Sequence, residues 1–339
     1  MSVTIRDVAR RAGVSISTVS RVLNGTAAVH EDKRRSVVEA AEALGYSPNP
    51  VARSLLGKET GGIGVLLPYV SGEFFAEFLN GLDEAAQHSG RFLIISTSHR
   101  HRHEFNAAVR AMDRRVDGLV VMAPELGAEG VESILHSGMA ASFINTSVES
   151  GAADLLNFDN FGGTFALTQH LLGLGHRRIA VVKGAPGTWD MQERLRGYRT
   201  AMAEAGLDTA GLEYDGEYTQ AAGYNAARLM LAADPRPTAV VAANDYCAAG
   251  VLSALSEAGV PVPSEMAVAG FDGVMSAQYA FPPLTTVRVP IRDIGYRAVR
   301  YLIARLEDKE GIVAPRQEVV PVELVVRRST VGTIPDEEA

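Results

Sequence analysis

At roughly 150 residues per domain, a chain of 339 residues has room for two or three domains with substantial cores. Its 47% hydrophobic and 21% charged residues exclude a disordered chain, and a single cysteine, Cys247, excludes a disulfide scaffold or a multi-thiolate metal centre and reads as a small core residue. The net charge of −8 argues against a polyanionic partner until it is divided by position: residues 1–60 hold nine Lys/Arg and six Asp/Glu, a charge of +3, and the remainder carries −11. A basic head on an acidic body points to a polyanion-binding module joined to one with a different task. The N-terminal residues lack the apolar stretch of a secretory signal, and no later segment approaches 18 uninterrupted apolar residues, so a cytoplasmic protein without membrane contact is expected.

In chain order, Thr4-Ile5-Arg6-Asp7 has the form of a capping box ahead of a short helix, Ile5 to Ala12. Gly13-Val14 interrupts it, Ser15 can cap a second helix, and Asn24-Gly25 stops that helix. Two short helices across a glycine turn predict a helix-turn-helix. Ile5, Val8, Ala9, Val14, Val19 and Val22 can face inward, which leaves Ile16, Ser17 and Arg21 outward on the second helix. That is where a recognition helix presents side chains to the major groove: Arg21 suits guanine O6/N7, and Ser17 and Thr18 can reach a base edge or a phosphate. A third helix, about Glu31 to Leu44, packs through Val37, Ala41 and Leu44 and ends at Gly45. On periodicity alone, a surface three-helix cap with scattered arginines remains the duller reading.

From Gly61 onward, short apolar runs (63–67, 92–95, 119–122, 179–182, 239–242 and 266–271) alternate with segments of helical period such as Phe105, Val109 and Met112. This βα repetition predicts mostly parallel sheets wrapped by helices, and about 270 residues of it predict two similar lobes. Glycines 90, 138, 175, 206 and 259 each suit the end of a helix. A ligand belongs in the cleft, at the carboxyl ends of the strands, where Asn145, Asn244 and Asp272 fall. Asp and Asn after strands often cap the next helix instead. Trp189, the only tryptophan, precedes Arg194 and is expected to line the same cleft. His99-Arg100-His101-Arg102-His103 reads as a solvated loop: no acid or cysteine stands at ligand spacing, so no metal is expected, and a contribution to an anionic effector is the alternative role. No cofactor is expected.

Beyond these patterns, the chain closely resembles the lac repressor (LacI/GalR) family of bacterial transcription regulators. The carrying residues are Val3 to Ala9, Ala12-Gly13-Val14-Ser15, Ser17 to Asn24, and Gly45-Tyr46-Ser47-Pro48-Asn49 running into Val51-Ala52-Arg53-Ser54-Leu55. Further along come Arg115 to Leu119, Gly175-His176-Arg177, Ala243-Asn244-Asp245, Gly270-Phe271-Asp272 and Pro283-Leu284-Thr285-Thr286. The resemblance implies an all-α helix-turn-helix head joined by a hinge helix to a two-lobed α/β core of the periplasmic-binding-protein type. It implies a homodimer on pseudo-palindromic double-stranded operator DNA, with operator affinity controlled by a small effector, most simply a carbohydrate. The corresponding division is a head at 1–47, a hinge at 48–60, a core at 61–330 and a tail at 331–339. Within the core, the N-lobe takes about 61–158 plus 290–318 and the C-lobe about 159–289 plus 319–330.

The DNA-facing set is then Thr4, Ser15, Ile16, Ser17, Thr18, Arg21, Asn24, Arg34, Asn49, Ala52, Arg53 and Leu55. In the hinge, Asn49 can cap, Pro50 suits the first helical position, and 51–56 is too short to be helical alone in water, so folding there is coupled to binding. By resemblance Leu55 is the wedge that enters the minor groove, with Leu56 as the alternative. The resemblance carries effector contacts to Phe74 or Phe75, Asn145, Asp159, Arg194, Tyr218, Asn244 and Asp272. A solute-binding protein would share the core but have no use for residues 1–60, and no P-loop, nucleophile elbow or zinc-protease motif supports an enzyme.

Overall fold

The computed structural model describes residues 3–24, 29–46, 59–98, 101–125, 127–147, 153–308 and 310–332. The hinge residues Asn49, Pro50, Ala52, Arg53, Leu55 and Leu56, the loop residues His99 and Arg100, and the tail after 332 lie outside the described residues. The chain divides into two compact units, Met1–Gly61 and Gly62–Ala339.

The first unit holds α1 (Ile5–Ala12), α2 (Ile16–Asn24) and α3 (Glu31–Leu44). At its start the Thr4 backbone N–H donates to Asp7 Oδ2 at 3.0 Å, and the Thr4 hydroxyl donates to the same oxygen at 2.6 Å. Gly13, at φ +65°, ends α1 in the left-handed region, and the Val14 N–H returns to the Ala9 carbonyl, so the chain turns within three residues. Ser15 Oγ then accepts from the Thr18 N–H at 3.2 Å and caps α2. Val8, Ala9, Val19, Val37, Ala40 and Ala41 close a small core, with Ile5, Val14, Val22 and Leu44 against it. The inward set read from periodicity is thus the packed set.

The second unit is built on two six-stranded sheets. One comprises β1 (Gly62–Leu67), β2 (Phe92–Thr97), β3 (Gly118–Met122), β4 (Ala140–Ile144), β5 (Asp154–Phe158) and β11 (Gln317–Val320), in the order β11-β5-β4-β3-β1-β2. The other comprises β6 (Ile179–Val182), β7 (Glu213–Tyr214), β8 (Ala239–Val241), β9 (Ala267–Asp272), β10 (Thr285–Arg288) and β12 (Glu323–Val325), in the matching order β12-β10-β9-β8-β6-β7. All pairings are parallel except β10 with β12. Central strands such as β1, β3 and β9 are buried throughout, as sheets covered by helices on both faces require, whereas the edge strand β2 is half exposed.

The N-lobe helices are α4 (Gly72–His88), α5 (Arg102–Met112) and α6 (Gly127–His136). The C-lobe adds α7 (Asn160–Gly173), α8 (Trp189–Glu204), α9 (Gln220–Ala232), α10 (Asp245–Glu257) and the short α11 (Met275–Tyr279). Next, α12 (Ile291–Glu307) returns to pack on α4 and β4, and α13 (Arg328–Val331) lies against β9. The chain therefore passes between the sheets three times, after β5, after β10 and after β11. The six apolar runs read from the sequence are all strands. The others were not legible because they are short or carry polar residues, as in Asp154 and Asn157 of β5 or Thr285 and Thr286 of β10.

Helix pairs in both lobes cross with backbone against backbone. A Cβ on Gly250 would lie 1.9 Å from the Gln220 carbonyl oxygen, and one on Gly223 would lie 2.0 Å from that of Cys247, so α9 and α10 meet only because both positions are glycine. Gly81 and Gly295 do the same for α4 and α12. Gly250→Ala is accordingly expected to cost about 1–3 kcal/mol, seen as a lower urea midpoint. Gly173→Ala, where a Cβ meets nothing within 4 Å, is expected to leave that midpoint unchanged or slightly raised.

Candidate functional site

Two surfaces carry the chemistry. On the first unit, Ile16, Ser17 and Arg21 stand exposed along α2, with Thr4 exposed just ahead of α1 and Arg34 on α3. The Ser15 hydroxyl hydrogen-bonds to those of Ser17 and Thr18, each at 2.8 Å, across the first turn of α2. This clusters donors and acceptors at the helix N-terminus, where backbone N–H groups also favour a phosphate. Asn24 is the last residue of α2.

In the second unit, a cleft of about 1120 Å³ opens at the carboxyl ends of both sheets. Its N-lobe wall is aromatic: Phe75 meets Tyr69 edge-on at 4.8 Å and Phe74 at 5.3 Å, and Phe74 leans on Phe158 at 6.3 Å. The polar wall holds Asn145, Asp190, Arg194, Tyr218, Asn244 and Asp272. Asn145 follows β4 at φ +53° and Asp272 ends β9 at φ +110°, two non-glycine residues in the left-handed half of backbone space at the ligand site.

Arg194, projecting from α8, organises the floor. Its Nε donates to Asn160 Oδ1 at 2.8 Å, one terminal nitrogen donates to the Ala243 carbonyl at 2.6 Å, and the other lies 3.7 Å from Asp272 Oδ1. The guanidinium also stacks 3.8 Å from the centroid of the Phe271 ring. Asn160 passes the chain on, donating to Asn145 Oδ1 at 2.8 Å. Beside this line, Asp245 accepts from Thr286 Oγ1 at 2.5 Å and from the Val274 N–H at 2.9 Å, bracing the loop after β9. Burial pushes the Asp272 carboxyl up to about 7 against the pull of Arg194. Burial, then the Asp272 charge, pushes Asp245 up to about 8.

Phe74, Phe75, Asn145, Arg194, Tyr218, Asn244 and Asp272 are thus brought together, with both phenylalanines on the wall. Asn244 combines two roles, since its Oδ1 also caps α10 by accepting from the Cys247 N–H at 2.8 Å. Two expected residues are not on the cleft wall. Asp159 turns its carboxylate onto the Gly162 N–H at 2.7 Å as the N-cap of α7. Trp189 opens α8 half-buried, and its backbone N–H donates to the Pro124 carbonyl at 3.3 Å. Sequence reading missed Tyr69, Asp190 and Tyr246 on the wall and Asn160 behind it. From the histidine run, His101 reaches the cleft, with its ring stacked 5.7 Å from that of His103. Among the described residues no group of three potential metal ligands occurs, and no helix is long and apolar enough to cross a membrane.

A helix-turn-helix unit followed by a two-lobed α/β unit with a polar, aromatic-walled cleft defines a ligand-responsive DNA-binding regulator. Residues 4–49 match the family described as bacterial regulatory proteins, lacI family, and residues 168–330 match the periplasmic binding protein-like domain. The HTH-type transcriptional repressor PurR of Photobacterium profundum is 34% identical over 330 residues, 96% of this chain and 98% of that protein. Among solved structures, the lac repressor dimer bound to operator and the anti-inducer ONPF agrees with a TM-score of 0.87 at 28% identity, over 97% of this chain and 99% of that one. The transcriptional regulator CelR–cellobiose complex agrees with a TM-score of 0.73 at 30% identity, over 96% and 99%. The chain belongs to the LacI family of bacterial regulatory proteins: it is a DNA-binding transcriptional repressor with a ligand-binding core, in a family of regulators and not of enzymes.

The raised Asp245 carboxyl has a measurable consequence. The folded chain holds this proton between the ordinary value of 3.8 and about 8, where the unfolded chain has lost it. Its contribution is therefore complete at low pH and is lost as pH rises through about 8. Unfolding free energies measured at about pH 5 and about pH 9 are expected to fall more for the wild type than for Asp245→Asn, which has no proton to lose. Equal falls would remove Asp245 from the groups that titrate on unfolding.

Proposed function

We propose that the effector is a neutral sugar or sugar derivative, and that its occupancy of the cleft sets the affinity of a cytoplasmic homodimer for a pseudo-palindromic operator. The observation that carries this reading is the engagement of Arg194. It is the only Lys or Arg among the described residues lining the cleft, and its donors are already directed at Asn160, Ala243 and Asp272. An anionic ligand would meet Asp190, Asp272 and Glu217 instead. Ring hydroxyls suit carboxylates and amides, and the C–H face of a sugar suits the Phe74, Phe75 and Tyr218 rings. The CelR–cellobiose complex shows a sugar-bound relative of the same architecture.

On this reading residues 1–47 bind DNA, with Ile16, Ser17 and Arg21 at base edges, and 48–60 form a hinge in which Leu55 or Leu56 enters the minor groove. The effector favours one arrangement of the lobes and so alters how well two heads fit their half-sites. A coupling of about 2–3 kcal/mol changes operator affinity by tens to about a hundredfold.

Arg21→Ala is expected to cost about 1–3 kcal/mol on the best operator and little on random DNA, because base contacts specify and phosphate contacts position. Gel shifts on both DNAs check this, and equal losses would move Arg21 to the backbone. Asp272→Asn tests the cleft while respecting the positive φ, which asparagine tolerates. Calorimetry with neutral mono- and disaccharides is expected to show affinity lowered by about 1–3 kcal/mol, while operator binding without sugar is retained. Tight binding of phosphorylated sugars, with none of neutral ones, would overturn the effector class.

A further inference from the structure

Three buried carboxyl groups in the cleft share a single buried cation. Asp190 and Asp272 are 5% exposed and Asp245 is 4% exposed, beside Arg194 at 9%. Charges withdrawn from water need partners, and one guanidinium offsets one carboxylate, so the three carboxyls cannot all ionise without a large penalty. Their partners differ. Asp190 accepts from the Tyr218 hydroxyl at 2.7 Å, and the two Asp245 oxygens accept from Thr286 Oγ1 and the Val274 N–H. Asp272 is served least, by an Arg194 nitrogen at 3.7 Å, beyond hydrogen-bond length, and by the Asn244 side chain. The neighbouring cations are committed elsewhere: Arg288, beside Asp272 on β10, pairs with Glu323, and Arg327, which faces Asp245 from just before α13, donates to the Leu284 carbonyl. Glu73, His101, Glu217 and Tyr218 stand elsewhere on the same lining.

We propose that effector binding is proton-linked through Asp272: below neutral pH this carboxyl carries a proton when no effector is bound, and the hydroxyls of the sugar displace it, so that the repressor senses its effector less well in acid. This rests on the reading of the cleft as the site of a neutral sugar. The proton leaves to solvent, while each sugar hydroxyl keeps its own hydrogen and donates it to the carboxylate. Two effects compete when the sugar arrives: hydrogen bonds to the charged form favour ionisation, and further loss of water disfavours it. At 5% exposure Asp272 has little water left to lose, so the hydrogen bonds decide the sign. Before the sugar binds, burial holds the carboxyl up at about 7 against the pull of Arg194. Affinity therefore rises with pH through that value and levels off above it. Asp245, pushed up to about 8 and with both oxygens already taken by Thr286 and Val274, keeps its proton through this step.

The experiment titrates the full-length protein by calorimetry with a panel of neutral pentoses, hexoses and disaccharides between about pH 5.5 and about pH 8.5. Each titration is run in two buffers of different ionisation enthalpy, so that the difference in heat counts the protons released. The wild type is expected to release most of one proton per site at about pH 6 and almost none at about pH 8.5, with affinity about tenfold lower at the acid end. Asp272→Asn is expected to bind more weakly, with a heat that no longer depends on the buffer and an affinity that is flat across the range. A general loss of packing would weaken binding without removing the proton. His101→Gln and Asp245→Asn, which replace the cleft histidine and the second raised carboxyl, are expected to keep the release. A wild type that binds sugar without releasing a proton, or takes one up, overturns the proposal and leaves the reading of the cleft standing. Release that survives in Asp272→Asn, or disappears in His101→Gln or Asp245→Asn, does the same. Binding of no neutral sugar at any pH overturns both.

Discussion

The cleft depends on the buried guanidinium of Arg194. Its two hydrogen bonds and one ion pair join the start of α7, the end of the loop after β8 and the last residue of β9, and through Asn160 the line continues to Asn145 in the other lobe. A planar fork with fixed donor directions can hold such dissimilar acceptors at once, which a lysine ammonium on a flexible stem cannot do with the same geometry. Removing it would leave Asp272 buried without its counter-charge, the situation in which buried ion pairs are most costly to break. The same engagement supports the proposed neutral effector, since a cation already bonded to the protein attracts an anion less than a free one.

Backbone constraints reinforce this line. Asn145 and Asp272 hold positive φ values, and each is tied in place: the Asn145 N–H donates to the Leu156 carbonyl, and the Val289 N–H donates to the Asp272 carbonyl. Asp245 fixes the turn after β9 from beneath. Behind these residues, helices in each lobe approach until glycine is needed at the crossing, which leaves little room for the walls to relax locally. Motion of such a unit is expected in the three strand-to-strand and strand-to-helix passages between the sheets.

The amino-acid order alone determined a good part of this protein. The head was legible because caps, turns and apolar faces are local: Asp7 answers Thr4, Ser15 caps α2, and Gly13 and Gly45 end their helices. The central strands were legible because a strand buried on both faces is a continuous apolar run, and that placement brought Asn145, Asn244 and Asp272 to the strand ends.

What only the tertiary structure decided is visible in two near misses. Sequence reading favoured Asp159 and Trp189, whereas their immediate neighbours, Asn160 and Asp190, belong to the floor and wall of the site. All four stand at the start of a helix, where successive side chains diverge by about 100°. Which of two neighbours faces the cleft is set by how α7 and α8 dock on their sheet, and that docking depends on contacts such as Gly197 against the Phe161 carbonyl, far away in the chain. Local pattern fixes a helix and its ends, but its rotation about its own axis is chosen by packing against distant residues.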